Sequence, residues 1–412
     1  MSTPRQPAPP SLQLLDSAGI FQALLPLAST CGLLLEPSDG TAGGEAAQGT
    51  LGGGGGIRVR LQSVPTTADV HWFQHVAPDH VAVRFHLPHA AELVVLPKQS
   101  EKLVSDAADL LVQLGLALTL TPVRAGLVID RVRHGYFNEG LALLGEGVAA
   151  QEIEAAGAAA GYRAGPLALL DEEGLEVTDQ LYHQSLGEHG CGCGHDHGHD
   201  HGHDHGHGHS HEHEHHHEHA HEHHHGHGHH HDHDHAHDHH HGHDHAHDHH
   251  GHDHDHGHAH SAAESAVWPV LTGEAAYAME KMAHGFQRKG RAAGSGFYDY
   301  YDDEDEDPDL WSGLSAFLRR SVKLPADDVR DRLRYIVWVE LLSSLKARAL
   351  PSAATADVAA RGADLWADTA SAPLAALRAL DADEVERRAA ELVERYGQRF
   401  ALPANWRELL KA

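Results

Sequence analysis

One segment of the chain consists almost entirely of histidine, acidic residues and small residues. From His195 to His260 there are 38 His, 10 Asp and 4 Glu, with no Lys or Arg. A segment without large apolar side chains cannot bury a hydrophobic core. We therefore expect this histidine tract, residues 195–260, to be disordered in the absence of metal. The fold must be built from the residues on either side of it.

The composition of the tract is suited to metal binding. Neutral imidazole binds Zn, Ni, Co and Cu, and His-x-His spacing provides many overlapping ligand sets. Thiolates of two cysteines just before the tract could add softer ligands. The candidate ligands are Cys191, Cys193, His195, His197, His199, His201, His203, His205, His215, His216, His217, His223, His224, His225, His229, His230 and His231. The repeats imply no fixed catalytic geometry, and a tolerated repeat expansion in an exposed loop is the alternative to a physiological metal role.

The charge balance of the chain excludes some classes of partner. Its 412 residues include 30 Lys and Arg against 60 Asp and Glu, a formal charge of −30. No basic surface is available to neutralise phosphates, so we expect no nucleic-acid binding. Three cysteines cannot build a disulfide framework, which fits a reducing compartment. No apolar run reaches 18 residues and no signal peptide is recognisable, so we expect a cytoplasmic protein without a membrane span.

Helical patterns occur on both sides of the tract and are similar to each other. A helix is predicted around Val132, Phe137, Leu141 and Leu144, and a second one around Ile336, Val339, Leu342 and Leu345. Each is followed about a dozen residues later by a further short helical pattern, at Ile153 and at Val358. Before them, strand-like runs lead to an amphipathic helix over residues 103–114, with Gly115 as its C′ residue.

These patterns predict a division of the chain into domains and linkers. The glycine-rich stretch Asp39–Gly56 is interpreted as a flexible connector. The predicted parts are a degenerate nucleotide-binding start with a glycine-rich linker (1–56), the remainder of a Rossmann-like domain (57–122), a first helical domain (123–300) interrupted by a histidine-rich insertion (183–262), an acidic linker (301–309) and a second helical domain (310–412).

Several motifs in the helical regions carry a family resemblance. Residues 128–140 read VIDRVRHGYFNEG, residues 165–179 read GPLALLDEEGLEVTD, and residues 290–300 read GRAAGSGFYDY. In this order and at this spacing they resemble the C-terminal helical domain of the 3-hydroxyacyl-CoA dehydrogenases. The segment ERYGQRFALPANWRELL, residues 394–410, is similar to the end of a second such domain, as in fatty-acid oxidation complex α subunits. The resemblance implies an α/β remnant of a Rossmann-like domain followed by mainly α structure.

The resemblance also implies NAD as the cofactor. The best candidate for the family's glycine-rich loop places Ser17, Gly19 and Gln22 at the three glycine positions. Glu36 stands near the position of the ribose-binding acid. The long side chain of Gln22 would lie where helix and strand should touch, so tight NAD binding is not expected. The alternative is that Gly19 simply interrupts a helix.

The family's catalytic residues are largely replaced. Arg84 stands at the position of the catalytic His, and a guanidinium with a pKa above about 12 cannot act as a general base near neutrality. Counting along the chain places Leu96 at the position of the acid that orients this His, and Asp130 at that of a substrate-contacting Asn. Ser63 matches the spacing of a further family residue. His86, two residues after Arg84 on the predicted strand, could substitute for the base, with Glu92 not far away in sequence.

Two functional hypotheses follow from these observations. The first is a 3-hydroxyacyl-CoA dehydrogenase-family protein of acyl-CoA and fatty-acid metabolism with impaired catalysis, in effect a pseudoenzyme, and a metal-binding histidine-rich loop. The second is a metal storage or delivery protein that reuses the dehydrogenase scaffold. Expected partners are acyl-CoA and metal ions, together with a second copy of the chain or proteins of acyl-CoA metabolism. The sequence leaves open the substrate, the metal and whether any dehydrogenase activity survives.

Overall fold

The protein is described from a computed structural model, which covers residues 17–38, 47–68, 70–87, 89–124, 126–185, 271–301, 307–320, 322–368 and 372–411. The strands are β1 (Leu34–Pro37), β2 (Gln48–Gly52), β3 (Arg58–Ser63), β4 (His80–His86), β5 (Ala90–Val95), β6 (Ala117–Pro122), β7 (Tyr298–Asp299) and β8 (Asp309–Leu310). The helices are α1 (Ser17–Thr30), α2 (Glu101–Gln113), α3 (Val128–Glu146), α4 (Ala150–Ala159), α5 (Pro166–Glu173), α6 (Leu175–Ser185), α7 (Gly273–Glu280), α8 (Ala326–Lys346), α9 (Ala353–Gly362), α10 (Pro373–Arg378), α11 (Ala382–Tyr396) and α12 (Trp406–Leu409).

The first six strands form one mixed sheet in chain order. The pairs β3–β4 and β5–β6 are parallel, and the other neighbours are antiparallel. The unit β5–α2–β6 is a parallel crossover of the kind found in α/β folds. Its helix begins at Ser100, whose side chain accepts a hydrogen bond from the Leu103 amide, and Gly115 follows with a positive φ of 83°. The predicted amphipathic helix and its glycine are confirmed.

The sequence predicted a flexible connector over the whole glycine-rich stretch, but part of this stretch is a strand. Gln48–Gly52 is strand β2, which pairs with β1 on one side and β3 on the other. The absence of a side chain at Gly49 is used for packing, because a Cβ there would lie 2.9 Å from the ring of Phe21 on α1. Gly54–Gly56 forms a short 3₁₀ turn that connects β2 to β3. The described glycines of this stretch therefore form part of the sheet and its hairpin.

The predicted fold class, an α/β remnant followed by mainly α structure, is confirmed. The segments α3–α7 and α8–α12 share one hydrophobic core, to which Phe137 and Leu141 of α3 and Ile336 and Leu342 of α8 all contribute. The predicted boundaries at 122/123 and around 301–309 stay predictions. Of the acidic segment, residues 302–306 lie outside the described residues, and Asp309 belongs to β8.

The two helical halves share several local features at the positions that the predicted internal repeat makes equivalent. Helices α3 and α4 correspond to α8 and α9, and each second helix carries a carboxylate at its fifth residue. Glu154 on α4 accepts hydrogen bonds from the Leu167 and Ala168 amides at the start of α5. Asp357 on α9 accepts one from the Leu374 amide at the start of α10. These acids cap unpaired helix N–H groups, and both capped helices begin with a proline.

The long helices α3 and α8 are joined by two buried ion pairs at matching positions. Arg131 pairs with Glu340 at 2.9 Å, and Arg332 pairs with Glu139 at 2.6 Å. In each helix the Arg precedes the Glu by about two turns. The Arg of each helix therefore pairs with the Glu of the other helix. No helix in the described ranges is both long and apolar enough to span a bilayer.

Candidate functional site

The sheet presents two faces with different surroundings. Because successive side chains of a strand alternate between faces, β4 turns Val81, Val83 and Phe85 toward the apolar cluster made with α1 and α2. Arg84 and His86 lie on the opposite face, where α3 begins. Four charged or titratable residues meet here, three from the sheet and one from α3, and we call them the sheet cluster: Arg84, His86, Glu92 and Asp130.

Glu92 is the buried carboxylate of the sheet cluster. It lies directly opposite Arg84 in the antiparallel pairing of β4 with β5. Its two oxygens accept hydrogen bonds from the amides of Val128 at 2.9 Å and Ile129 at 3.1 Å, in the first turn of α3. Burial raises the pKa of Glu92 to about 7, although the two amides oppose that rise. The carboxyl group thus joins the sheet to the helix that follows it.

Arg84 joins β4 to the same helix by an ion pair. Its Nε donates to Asp130 Oδ2 at 3.1 Å and its Nη2 to Asp130 Oδ1 at 3.3 Å. The guanidinium also donates to the Val64 carbonyl at 3.4 Å and to the Thr66 hydroxyl. Asp130 is almost fully buried, whereas the Arg84 side chain is 22% exposed. The guanidinium is therefore the outer member of the sheet cluster.

His86 lies beside these groups without a close hydrogen bond to them. Its Nδ1 is 3.8 Å from Asp130 Oδ1, and its Nε2 is 4.0 Å from Glu92 Oε2. Within the described part of the chain, the buried Nε2 has no hydrogen-bond partner. Burial lowers the pKa of His86 to about 3, so the ring is neutral near pH 7.

A second layer of charge, which the sequence analysis missed, surrounds the sheet cluster. Glu173, the last residue of α5, pairs with Arg133 at 2.7 Å and with His134 at 3.1 Å. Burial alone would raise the pKa of Glu173, but Arg133 and His134 lower it well below its usual range. The sequence signal was the run Arg131-Val132-Arg133-His134, polar residues inside an apolar helix pattern.

The structure corrects the position assigned to Leu96. Counting without a gap placed it at the orienting acid, but Leu96 lies beyond the end of β5 and packs in an apolar cluster with Val64, Phe73 and Leu127. The acid facing Arg84 is Glu92. The turn between β4 and β5 is short, so the residue that faces Arg84 comes soon after it in the chain. Strand register shows this pairing, whereas residue counting does not.

Ser63 is not brought to the sheet cluster. It ends β3 next to Val83, and it shares the sheet face of Leu61 and Val83 rather than that of Arg84. The spacing that suggested Ser63 is thus preserved along the chain without convergence in space.

The candidate nucleotide-binding residues are also placed apart from the sheet cluster. Gly19 lies in the first turn of α1, which is followed by the edge strand β1, antiparallel to β2. Glu36 on β1 forms an ion pair with Arg58 on β3, and both side chains are half exposed. A dinucleotide fold places the glycine loop and the ribose-binding acid at the ends of parallel strands. Gly19 and Glu36 do not have that arrangement.

The predicted metal ligands of the tract, together with Cys191 and Cys193, lie outside the described residues. The helices on either side of them are described, and they contact each other.

A family model matches one part of the helical region. Residues 126–195 match the family model described as "3-hydroxyacyl-CoA dehydrogenase, C-terminal domain". This range holds Asp130, Glu173 and helices α3–α6. The resemblance to the 3-hydroxyacyl-CoA dehydrogenases is confirmed.

Two solved structures are similar to the chain at low identity. The first is 3-hydroxybutyryl-CoA dehydrogenase from Escherichia coli K12 substr. MG1655, with 15% identity, a TM-score of 0.49, and coverage of 84% of this chain and 74% of that one. The second is the dehydrogenase part of multifunctional enzyme 1 from C. elegans, with 13% identity, a TM-score of 0.46, and coverage of 84% and 63%.

Proposed function

We propose that this protein is a dehydrogenase-family scaffold of acyl-CoA metabolism that no longer performs the redox step and that binds divalent metal through its histidine tract. The observation that carries the first half is the ion pair of Arg84 with Asp130. A general base needs a lone pair at the reacting atom, and a guanidinium offers none near neutrality. Since Asp130 holds Arg84 in place, the side chain that stands where a base is expected is a fixed cation.

His86 is a poor replacement for that base. Its ring is neutral and carries a lone pair, but a pKa of about 3 makes it a weak proton acceptor. It is also more deeply buried than Arg84. A substrate hydroxyl approaching the sheet cluster from solvent would meet the guanidinium first. We therefore assign His86 a structural role.

NAD is the cofactor of the family that the chain resembles, and we propose that this chain does not bind it tightly. The support is the pairing of Glu36 with Arg58 and the position of Gly19 inside α1. The partly exposed Arg84 guanidinium still offers N–H donors to the carbonyl oxygen of an acyl-CoA or a related thioester held without oxidation. We propose that class as the ligand of the scaffold.

The activity half of the proposal is tested with the full-length protein. 3-Hydroxybutyryl-CoA and NAD are mixed with it, and NADH formation is followed by absorbance. We expect a rate at or near background, and calorimetry should show no NAD binding below the millimolar range. Robust turnover that is lost in His86→Ala would contradict the proposal, because it would identify His86 as the working base.

The metal half is supported by the composition of the tract. Its 14 carboxylates and 38 imidazoles provide more donors than one ion needs. Protons compete with metal for neutral imidazole, so binding should weaken as the pH falls through an ordinary histidine pKa of about 6.5. Storage or delivery of metal as the main function is the second candidate, favoured by this same excess of donors.

The metal half is tested by titrating the full-length protein with Zn²⁺ or Ni²⁺ in a calorimeter between pH 8 and pH 5.5. Buffers of different ionisation enthalpy report the protons released. We expect several ions per chain, a steep loss of affinity toward the acid end and proton release coupled to binding. Binding of a single ion with no pH dependence would contradict a role for the tract.

A further inference from the structure

Three potential metal ligands converge where the chain enters and leaves the histidine-rich region. Asp179 and His183 lie one turn apart on α6, and His284 lies in the π-helical turn Lys281–Gly285 that continues α7. His284 Nε2 is 3.1 Å from Asp179 Oδ1, and His183 Nε2 is 3.4 Å from the same oxygen. One ligand atom from each residue lies within 4.8 Å of the other two.

The local fold explains why these side chains meet. Helix α6 buries Val177 and Leu181, so Asp179 and His183 lie on its less buried side. Residues at i and i+4 are neighbours on a helix surface. The π-helical turn packs against α6 and brings in His284 from 105 positions away.

The distances fit a tetrahedral metal centre. With metal–ligand bonds of about 2.0–2.1 Å, neighbouring ligand atoms around a tetrahedral Zn²⁺ are separated by about 3.3–3.4 Å. The two distances to Asp179 are close to this edge. The side chains of His183 and His284 are 40% and 61% exposed, so an ion can reach them from solvent. Two imidazoles and a carboxylate suit a divalent first-row transition metal.

We propose that Asp179, His183 and His284 bind one divalent transition-metal ion, with Zn²⁺ as the representative case. The ion would connect α6 to the segment after α7, on either side of the histidine-rich region. Only the supply of metal by the tract rests on the proposed function. The site itself does not, since its three ligands belong to the described part of the chain. A defined site in the described part of the chain would give the protein one position at which a single ion is exchanged.

Residue-resolved histidine modification of the full-length protein tests this site despite the many other histidines. Diethyl pyrocarbonate reacts with the free lone pair of neutral imidazole, which a bound metal occupies. Trypsin cleavage after Lys281 and Arg288 releases residues 282–288, MAHGFQR, whose one histidine is His284. The modification rate of His284 is measured by mass spectrometry during a Zn²⁺ titration, with the exposed His75 as the internal reference.

We expect Zn²⁺ to slow the modification of His284 by about tenfold while His75 is unaffected. Asp179→Asn, and independently His183→Gln, should abolish this protection. The matched control is Glu176→Gln, one turn earlier on α6, because Glu176 pairs with Lys289 and not with the three ligands. Circular dichroism confirms that each variant is folded.

Three results would overturn the proposal. If His284 stays reactive while the histidines of the tract are protected, the folded site is wrong and metal binding by the tract stands. If protection persists in Asp179→Asn and His183→Gln, His284 is merely covered by other parts of the chain. If neither His284 nor the tract is protected, both the site and the metal half of the proposed function fail.

Discussion

His86 and Glu92 have an inverted order of acidity in the folded protein. An ordinary histidine has the higher pKa of the two, but burial lowers the pKa of His86 to about 3 and raises that of Glu92 to about 7. Between these values both groups are neutral, because the interior disfavours either charge. The charges that persist on this sheet face are those of Arg84 and Asp130, which compensate each other.

The two residues should have opposite effects on the pH dependence of stability. The unfolded state binds more protons than the folded state at His86 from about pH 6.5 down to pH 3, so acidification destabilises the fold there. At Glu92 the folded state binds more protons between about pH 4.5 and pH 7, so acidification stabilises it. Between pH 4.5 and pH 6.5 the contributions cancel.

Glu92→Gln should reveal the contribution of His86. We expect the free energy of unfolding of this variant, relative to the unmodified protein, to rise with pH by up to about 1.4 kcal/mol per pH unit between pH 4.5 and pH 6.5. Urea titrations at several pH values measure the difference in the free energy of unfolding between the two proteins. The tract is the same in both, so its titration cancels in this difference. Charged neighbours (Arg84, Asp130 and Arg124) are the same in both proteins.

Glu36→Gln is the matched control for this experiment, because Glu36 lies on the same sheet but its side chain is half exposed. Its profile should follow that of the unmodified protein. A profile for Glu92→Gln that also follows the unmodified protein would mean that Glu92 titrates with an ordinary pKa.

At the scale of secondary structure, α3 and α8 are held together by ion pairs as well as by apolar contacts. The Arg332 guanidinium is fully buried and donates to Glu139 and to Glu146. Gly135 permits the close approach of the two helices, since a Cβ there would lie 3.2 Å from Glu340 Cγ. Buried charges of this kind fix how two helices align, because any other alignment leaves a charge unpaired.

Arg332→Met should destabilise the protein strongly. The substitution preserves most of the side-chain volume but leaves Glu139 with Arg399 as its remaining partner, so we expect a loss of about 3–5 kcal/mol in the free energy of unfolding. Urea unfolding followed by circular dichroism measures the loss. Adding Glu139→Gln should restore part of it, because the buried carboxylate that has lost one of its two arginine partners is then neutral.

The comparison variant is Arg387→Met on α11, where the arginine is exposed and pairs with Glu384 and Glu391. No measurable change is expected there, because water screens exposed ion pairs. Equal losses of unfolding free energy in Arg332→Met and Arg387→Met would show that burial of the Arg332–Glu139 ion pair adds nothing to stability.

At the scale of the whole molecule, the histidine-rich region enters between two helices that pack against each other. Helix α6 ends at Ser185 and α7 begins at Gly273, and Asp179 of α6 contacts His284 just after α7. Asp179 and His284 therefore join the two segments that flank the histidine-rich region. This arrangement supports an insertion into one helical fold, whose core contains residues from both sides.

Deletion of residues 190–262 should leave a folded protein. Residues 186–189 and 263–272 would remain to connect Ser185 to Gly273. We expect a helical circular dichroism spectrum and a single cooperative urea transition at nearly the same midpoint, because no core residue of the described part is removed. Aggregation, or loss of cooperativity, would contradict the insertion model. A second variant that also removes residues 263–269 tests whether linker length matters, because it keeps Leu271 and the α7 cap Thr272.

Much of the architecture could be predicted from the sequence because it depends on local patterns. Apolar residues at i, i+3 and i+4 predicted α2, α3 and α8, and Gly115 and Pro166 marked helix ends where their backbone preferences are satisfied. The dehydrogenase motifs of α3 to α6 are likewise contiguous in the chain. The composition of the tract predicted that it could not contribute a core.

The remaining features depend on contacts between distant segments. Strand register, not residue counting, decided that Glu92 rather than Leu96 faces Arg84. Pairing with β3 and packing of Phe21 against Gly49 turned predicted linker glycines into a strand. The meeting of Asp179 with His284 required two helices separated by the tract to pack together. Periodicity indicates which side of a helix or strand is buried. Pairing and burial between elements determine which residues meet. They therefore also determine which carboxylates are neutral, which are paired and which lie beside potential metal ligands.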